Sequence, residues 1–222
     1  METVSSRRSV PSTAWAGVVF AVLYVVGFMM IGQSPDDTDK VKDSAPGMAA
    51  AWRDHYSDSG RRWAILIGAF LLAAAVLALV VFASELRQRL ADAGAPAAGR
   101  LAFAASLLFG AVTLAGASAM AWIPGAKQFG DSPLPEGELN YLASQLGFAL
   151  LLLGGGASGA LLLVTAGRAS VRTHVLPTWL GWAGVVIGVA LFFVGVLFIP
   201  MALFALWVLI AAIIMIRKPT VA

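Results

Sequence analysis

Residues 63–83 read WAILIGAFLLAAAVLALVVFA, a run of 21 residues without a charged side chain and without Ser, Thr, Asn or Gln. An α-helix rises 1.5 Å per residue, so about 20 apolar residues cross the roughly 30 Å hydrocarbon core of a bilayer. Backbone groups in that core must be paired within the protein, and a helix pairs its own. The run therefore predicts a transmembrane helix.

Five further stretches have the same character, and none of the six contains Asp, Glu, Lys, Arg or His. We predict membrane spans at 15–31, 63–83, 101–123, 142–166, 179–199 and 201–216. One helix through both of the last two stretches would be about 57 Å long, so the chain is expected to turn at Pro200, which cannot continue a helical ladder. A last segment that re-enters the membrane or lies in its interface is the alternative.

The composition of the whole chain agrees with a membrane protein. Of the 222 residues, 59% are hydrophobic and 12% are charged, and the mean hydropathy is +0.85. Soluble chains carry about 25% charged residues. The absence of cysteine excludes disulfides, thiolate metal sites and covalently attached haem. We predict an all-α fold, a polytopic transmembrane helical bundle in which residues 1–222 form one integral membrane domain.

The distribution of charge predicts an orientation. All 27 charged residues lie outside the six stretches. With both termini inside, the cytoplasmic segments hold nine basic and three acidic residues, and the outer segments hold six basic and nine acidic residues. The positive-inside rule then places the amino and carboxyl termini in the cytoplasm and the protein in the cell's inner or plasma membrane.

The outer loop 32–60 is the longest segment between spans, and its composition predicts a short helix at about 48–56. Met48, Ala51, Trp52 and His55 would share one face of this helix, and we expect the helix to lie across the outer mouth of the bundle or in the interface. The acidic run at 36–39 lacks the glycine and distal glutamate of a calcium loop, so no metal site is predicted. The candidate contacts for a ligand or partner are Trp52, Arg53, Asp54, His55 and Tyr56.

Two motifs resemble those of rhomboid-type intramembrane serine proteases: the GASG run at 156–159 and the Trp52-Arg53 pair in a long outer loop. A serine nucleophile needs a neighbouring base, and the rhomboid pattern takes a histidine from the sixth span. The only histidines here are His55 and His174. The resemblance therefore implies at most an inactive rhomboid-like protein, and no catalytic residue is assigned.

Glycines four residues apart predict helix packing in the fourth and fifth spans, because small side chains let helix backbones approach closely. These glycines are Gly155, Gly159, Gly184 and Gly188. Trp207 lies near the middle of the sixth span. Either its indole N–H has a partner inside the bundle, or its ring is simply packed or exposed to lipid.

The six spans lack the ionisable groups with which coupled transporters and proton relays work. No phosphate-binding or nucleic-acid-binding pattern is present, so we predict no cofactor and no nucleic acid partner. The expected role is non-catalytic: an accessory or interaction protein, or one that binds a small lipophile. The expected partners are the lipid bilayer and either another membrane protein or a second copy of the chain in a homo-oligomer. The alternative is a facilitator or channel for small uncharged or lipophilic solutes.

Three loop motifs resemble those of small multi-pass membrane proteins from high-GC Gram-positive bacteria. They are YSDSGRR at 56–62, ELR at 85–87 and LPTWLGW at 176–182. The resemblance implies a six-helix bundle and assigns no activity.

Overall fold

The computed structural model describes residues 12–33, 35, 45–130, 133–135, 137–194 and 199–217. Within these residues all regular structure is helical and no strand is present, which confirms the predicted all-α class. A short 3₁₀ turn, Ser12–Ala14, precedes the first α-helix, and a π-helical turn, Leu150–Gly154, joins the fifth to the sixth. The α-helices are α1 Trp15–Ile31, α2 Ala45–Ser57, α3 Ser59–Asp92, α4 Pro96–Gly130, α5 Gly137–Ala149, α6 Gly155–Thr173, α7 Thr178–Val194 and α8 Ile199–Arg217.

Three helical segments are long and apolar enough to cross a membrane: α3, α4 and the continuous segment from α5 through α6. The other apolar helices, α1, α7 and α8, are shorter. The prediction of a turn at Pro200 is wrong, because α8 already begins at Ile199; residues 195–198, between α7 and α8, lie outside the described part of the chain. Pro200 thus falls in the first turn of α8, where a missing backbone N–H breaks no helical hydrogen bond.

The apolar helices form a closed ring. In order around it, α1 packs on α3, α3 on α4, α4 on α6, α6 on α7, α7 on α8, and α8 returns to α1. Helix α5 leads into α6 through the π-helical turn and contacts α4. Helix α2 lies against α5. We call the end of the bundle that carries α2 the α2 end. The opposite end, where α3, α6 and α8 finish, is the arginine end.

Four aromatic rings fill the centre of the ring where α1, α4 and α8 meet. Each pair of the four rings has its centroids 4.9–6.4 Å apart, and all four side chains are buried. Edge-to-face and tilted pairs at these distances add to the gain from burying the rings. The four residues are Phe20, Tyr24, Phe109 and Phe204, which we call the aromatic cluster.

At three helix crossings a pair of glycines lets the two helix backbones come into direct contact. In each pair, a Cβ atom placed on either glycine would lie 3.0 Å or less from the carbonyl oxygen of the other. Any side chain there would push the helices apart. The pairs are Gly27 with Gly68 between α1 and α3, Gly116 with Gly147 between α4 and α5, and Gly167 with Gly181 between α6 and α7.

Trp207 is buried and has a partner inside the bundle. Its indole Nε1 donates a hydrogen bond of 2.9 Å to the backbone carbonyl of Leu180 in α7. A Cβ atom placed on Gly184 would lie 2.8 Å from the same nitrogen. The absence of a side chain at Gly184 therefore gives the indole access to the α7 backbone.

Candidate functional site

The residues predicted for ligand or partner contact lie on α2, whose bounds enclose the predicted helix 48–56. Trp52, His55 and Tyr56 turn inward and are 3%, 2% and 1% exposed. Arg53 and Asp54 face outward and line a shallow cleft of about 490 Å³ beside Lys127. Solvent thus reaches two of the five candidates, and the other three belong to the packing beneath α2.

Two arginines at the start of α3 fasten α2 to the bundle. Arg62 Nη1 donates to the carbonyl oxygens of Tyr56 at 2.9 Å and Ser57 at 2.6 Å, while its Nε donates to Gln128 Oε1 in α4 at 3.0 Å. Arg61 Nη1 lies 2.8 Å from Nδ1 of His55. Arg61 is the donor of this hydrogen bond, because a guanidinium has no acceptor atom. A charged hydrogen bond is stronger than a neutral one, so these contacts position α2.

The remaining polar groups near α2 have structural roles too. Asp58 is the N-cap of α3, and its carboxylate accepts a hydrogen bond of 3.0 Å from the backbone N–H of Arg61. Hydrogen bonds from the N–H groups of Arg61 and Gly60 lower the pKa of Asp58. Burial raises the pKa of Tyr56 to about 12, and the Ser144 hydroxyl opposes that rise. Tyr56 therefore stays neutral at physiological pH.

Ser158, the serine of the GASG run, is bound to its own helix. Its hydroxyl lies 2.6 Å from the carbonyl oxygen of Gly154 and 3.2 Å from that of Gly155. His174 caps the end of α6, sixteen residues further along, which corresponds to about 24 Å of helix. His55 lies on α2, at the opposite end of the bundle from His174. Neither histidine is within reach of Ser158 as a general base.

The four glycines predicted for packing fall into two kinds of contact. A Cβ atom on Gly155 or Gly159 would meet side-chain atoms at 3.6 Å or more, which is ordinary van der Waals distance. On Gly188 it would lie 2.8 Å from a Val164 methyl group, and on Gly184 it would reach Trp207. Gly184 and Gly188 therefore lie at tight helix contacts, whereas a methyl group could be accommodated at Gly155 and Gly159.

An apolar groove runs between α1 and α8 and was not predicted from the sequence. Two adjoining cavities, of about 330 and 350 Å³, share Val25 and Ala202 and thus form one continuous depression. Its walls are valine, alanine, leucine and methionine side chains together with Phe28. Pockets for small molecules have volumes of roughly 300–1,000 Å³ and are mostly apolar, with a few polar groups.

Tyr24 supplies the polar group of this groove. Its side chain is 3% exposed, and of the four rings in the aromatic cluster it is the one that lines the groove. The hydroxyl donates to the sulfur of Met201 at 3.4 Å. Thioether sulfur is a weak acceptor, so an oxygen atom of a ligand would be a better one. The arrangement can orient an apolar molecule, and none of the described residues that line the groove is acidic or basic.

No family model, curated protein or solved structure matches this chain.

The sequence held one signal for the groove. Tyr24 is the only tyrosine inside the six apolar stretches, and a buried phenol needs a hydrogen-bond partner. Its neighbours on α8 could not be derived, because the sequence does not show which faces of α1 and α8 meet. Arg61 and Arg62 also had a recognisable sequence pattern. Two adjacent charged residues directly before an apolar stretch lie at the end of a helix, where they can form hydrogen bonds to the preceding loop.

Proposed function

We propose that this protein is a multi-pass protein of the plasma membrane that binds a small lipophilic molecule in the α1/α8 groove without transforming it. The observation that carries the proposal is an open apolar groove with one hydroxyl, that of Tyr24, at its floor. Apolar walls suit a ligand that partitions into the bilayer, and the hydroxyl suits one that carries a carbonyl or hydroxyl oxygen.

In this proposal six helices cross the membrane, with α1, α7 and α8 joining the three longer segments. Support comes from the closed ring, in which the three shorter helices α7, α8 and α1 are consecutive neighbours and connect the two ends of the row formed by the three longer segments. Exposed tryptophans at both ends add to it: Trp15, Trp179 and Trp182 at the arginine end, and Trp63 and Trp122 at the α2 end. Tryptophan is enriched at the two membrane interfaces. The excess of basic residues in the loops of the arginine end favours cytoplasmic termini.

The proposal is tested by photo-labelling in membranes. The full chain, reconstituted in phosphatidylcholine vesicles, is exposed to a long-chain ketone that carries a diazirine, and labelled peptides are identified by mass spectrometry. We expect labels concentrated in α1 and α8 around Val25 and Ala202. Labels spread evenly over all lipid-exposed helices would contradict a specific groove.

A matched pair of substitutions sharpens the test. Ala202→Trp fills the groove and is expected to reduce labelling of α1 about tenfold, the loss that follows when about 1.4 kcal/mol of binding energy is removed. Ala157→Trp adds the same bulk to an exposed position on α6 and is expected to leave labelling unchanged. Equal effects of the two substitutions would overturn the proposal.

A further inference from the structure

A second cleft lies at the arginine end, between the first turns of α4 and the last turns of α6. Its volume is about 580 Å³, and its wall on α6 carries Arg168 and Arg172. Leu101 and Val164 line its deeper part, one to two helical turns towards the middle of the bundle. We call it the arginine cleft. It shares no lining residue with the α1/α8 groove.

Neither arginine of this cleft has an acidic neighbour among the residues that the structure describes. Arg168 and Arg172 are four residues apart on one helix, where like charges repel. No acidic side chain lines the cleft, and no residue in the described part of the chain forms an ion pair with either arginine. Arg89, at the same end, differs, because its Nε lies 2.8 Å from Glu85 Oε1. The charge of the cleft therefore suits an anion from outside the protein.

The cleft lies at the depth of the interfacial tryptophans. The backbone contact between Gly167 and Gly181 brings the adjacent Arg168 and Trp182 to one level of the bundle. Trp182 is 57% exposed. An exposed tryptophan at the end of a membrane helix lies among the lipid headgroups. In the proposed membrane placement, the arginines are therefore at the depth of the phosphate groups.

We propose that the arginine cleft binds an anionic glycerophospholipid. The guanidinium groups of Arg168 and Arg172 would bind the phosphate, since a guanidinium matches two phosphate oxygens at once. Leu101 and Val164 would contact the upper part of an acyl chain. The first turn of α4, which forms the opposite wall, adds the positive end of a helix dipole. Basic pockets between membrane helices on the cytoplasmic side bind such headgroups.

The test measures lipid binding to the purified full-length protein in a neutral detergent. Short-chain phosphatidylglycerol, short-chain phosphatidylcholine and inorganic phosphate are added separately, and adducts are quantified by native mass spectrometry. We expect phosphatidylglycerol to bind and the two other compounds to bind at least about tenfold more weakly, a difference of about 1.4 kcal/mol. Equal binding of the two lipids would overturn the proposal, and equal binding of inorganic phosphate would replace the lipid by a free phosphate.

Two double variants with the same charge change locate the site. Arg168→Gln/Arg172→Gln is expected to weaken phosphatidylglycerol binding about tenfold, whereas Arg100→Gln/Arg217→Gln, exposed arginines outside the cleft lining, is expected to leave it near wild type. Equal effects would show a diffuse charge effect and overturn the site. If the first variant does not fold, Arg168→Lys/Arg172→Lys takes its place and should bind more weakly than wild type, because lysine loses the two-point contact; unchanged binding would contradict the proposal.

The salt dependence of wild-type binding is a further readout. Because both arginines are exposed, ionic strength screens their attraction for the headgroup, and affinity should fall as salt rises. Affinity that does not change with salt would contradict a charge-based site. The inference relies on the proposed membrane placement but not on the lipophile. If the wild-type protein binds no phosphatidylglycerol while its labelling at α1 and α8 is intact, this inference alone is refuted.

Discussion

The contact between Gly167 and Gly181 makes a quantitative prediction about the α6/α7 interface. A Cβ atom on Gly167 would lie 2.5 Å from the Gly181 carbonyl oxygen and 3.1 Å from the Val185 backbone nitrogen. Favourable contacts between carbon and a carbonyl oxygen are about 3.3–3.6 Å long. In Gly167→Ala the two helices must therefore separate by nearly 1 Å, since both partners of the clash are backbone atoms.

The expected free energies have opposite signs at two positions of the same helix. Overpacking costs about 1–3 kcal/mol, and replacing glycine by alanine in a helix gains about 1 kcal/mol. For Gly167→Ala both clashing atoms are backbone atoms, so the overpacking cost lies in the upper part of this range, about 2–3 kcal/mol, and the net loss of stability is about 1–2 kcal/mol. For Gly159→Ala the new methyl group would meet side chains at 3.6–3.7 Å, so the helix gain remains and the protein becomes about 0.5–1 kcal/mol more stable.

The assay is reversible unfolding of the purified protein in mixed micelles with increasing sodium dodecyl sulfate, followed by far-UV circular dichroism. The two variants differ from wild type by one methyl group each and lie on the same helix, so detergent effects common to both cancel. If Gly167→Ala were as stable as wild type, or if both substitutions changed the free energy of unfolding alike, backbone contact would not govern this interface.

Two further predictions concern the α2 end. Arg62→Gln removes the charged hydrogen bonds to the end of α2 and should raise hydrogen exchange of residues 45–57 at least about tenfold, as expected for a loss of about 1.5–3 kcal/mol. Arg53→Gln, at an exposed position, is the control, and an equal rise in both variants would contradict the role of Arg62. Tyr56 has a pKa of about 12 when folded and about 10 when unfolded, so its contribution to stability is complete below pH 10 and is lost as pH rises towards 12. Tyr56→Phe should flatten stability over that interval; an unchanged alkaline decline would show that another group causes it.

The helices could be predicted from the sequence because apolar length is a local property. The helical class is confirmed, and the apolar stretches at 63–83, 101–123 and 142–166 lie within the three helical segments long enough to cross a membrane. Pro200 shows the limit of this reasoning. Its inability to continue a helix suggested a turn at the residue itself, yet proline also suits the first turn of a helix, and the sequence alone does not separate the two positions.

The candidate site was harder to predict for a physical reason. Composition and helical spacing indicated that Trp52, His55 and Tyr56 lie on α2, but not that this face packs inward beneath Arg61 and Arg62. A pattern shows which side chains share a face, and it does not show what that face meets. The hydrogen bond between Arg62 and Gln128, which was not predicted, joins residues that are 66 positions apart in the sequence.

Neighbouring residues are enough to indicate that the chain is apolar and helical and that its charges lie outside the six apolar stretches, because hydrophobic length and charge placement are local properties. The tertiary structure alone decided which glycines meet, that Trp207 bonds to Leu180, and that Tyr24 faces a groove beside α8 while Arg168 and Arg172 share a cleft with α4. These features depend on the rotation and depth of each helix in the ring. Rotation and depth follow from the simultaneous packing of all the helices, which no single segment encodes.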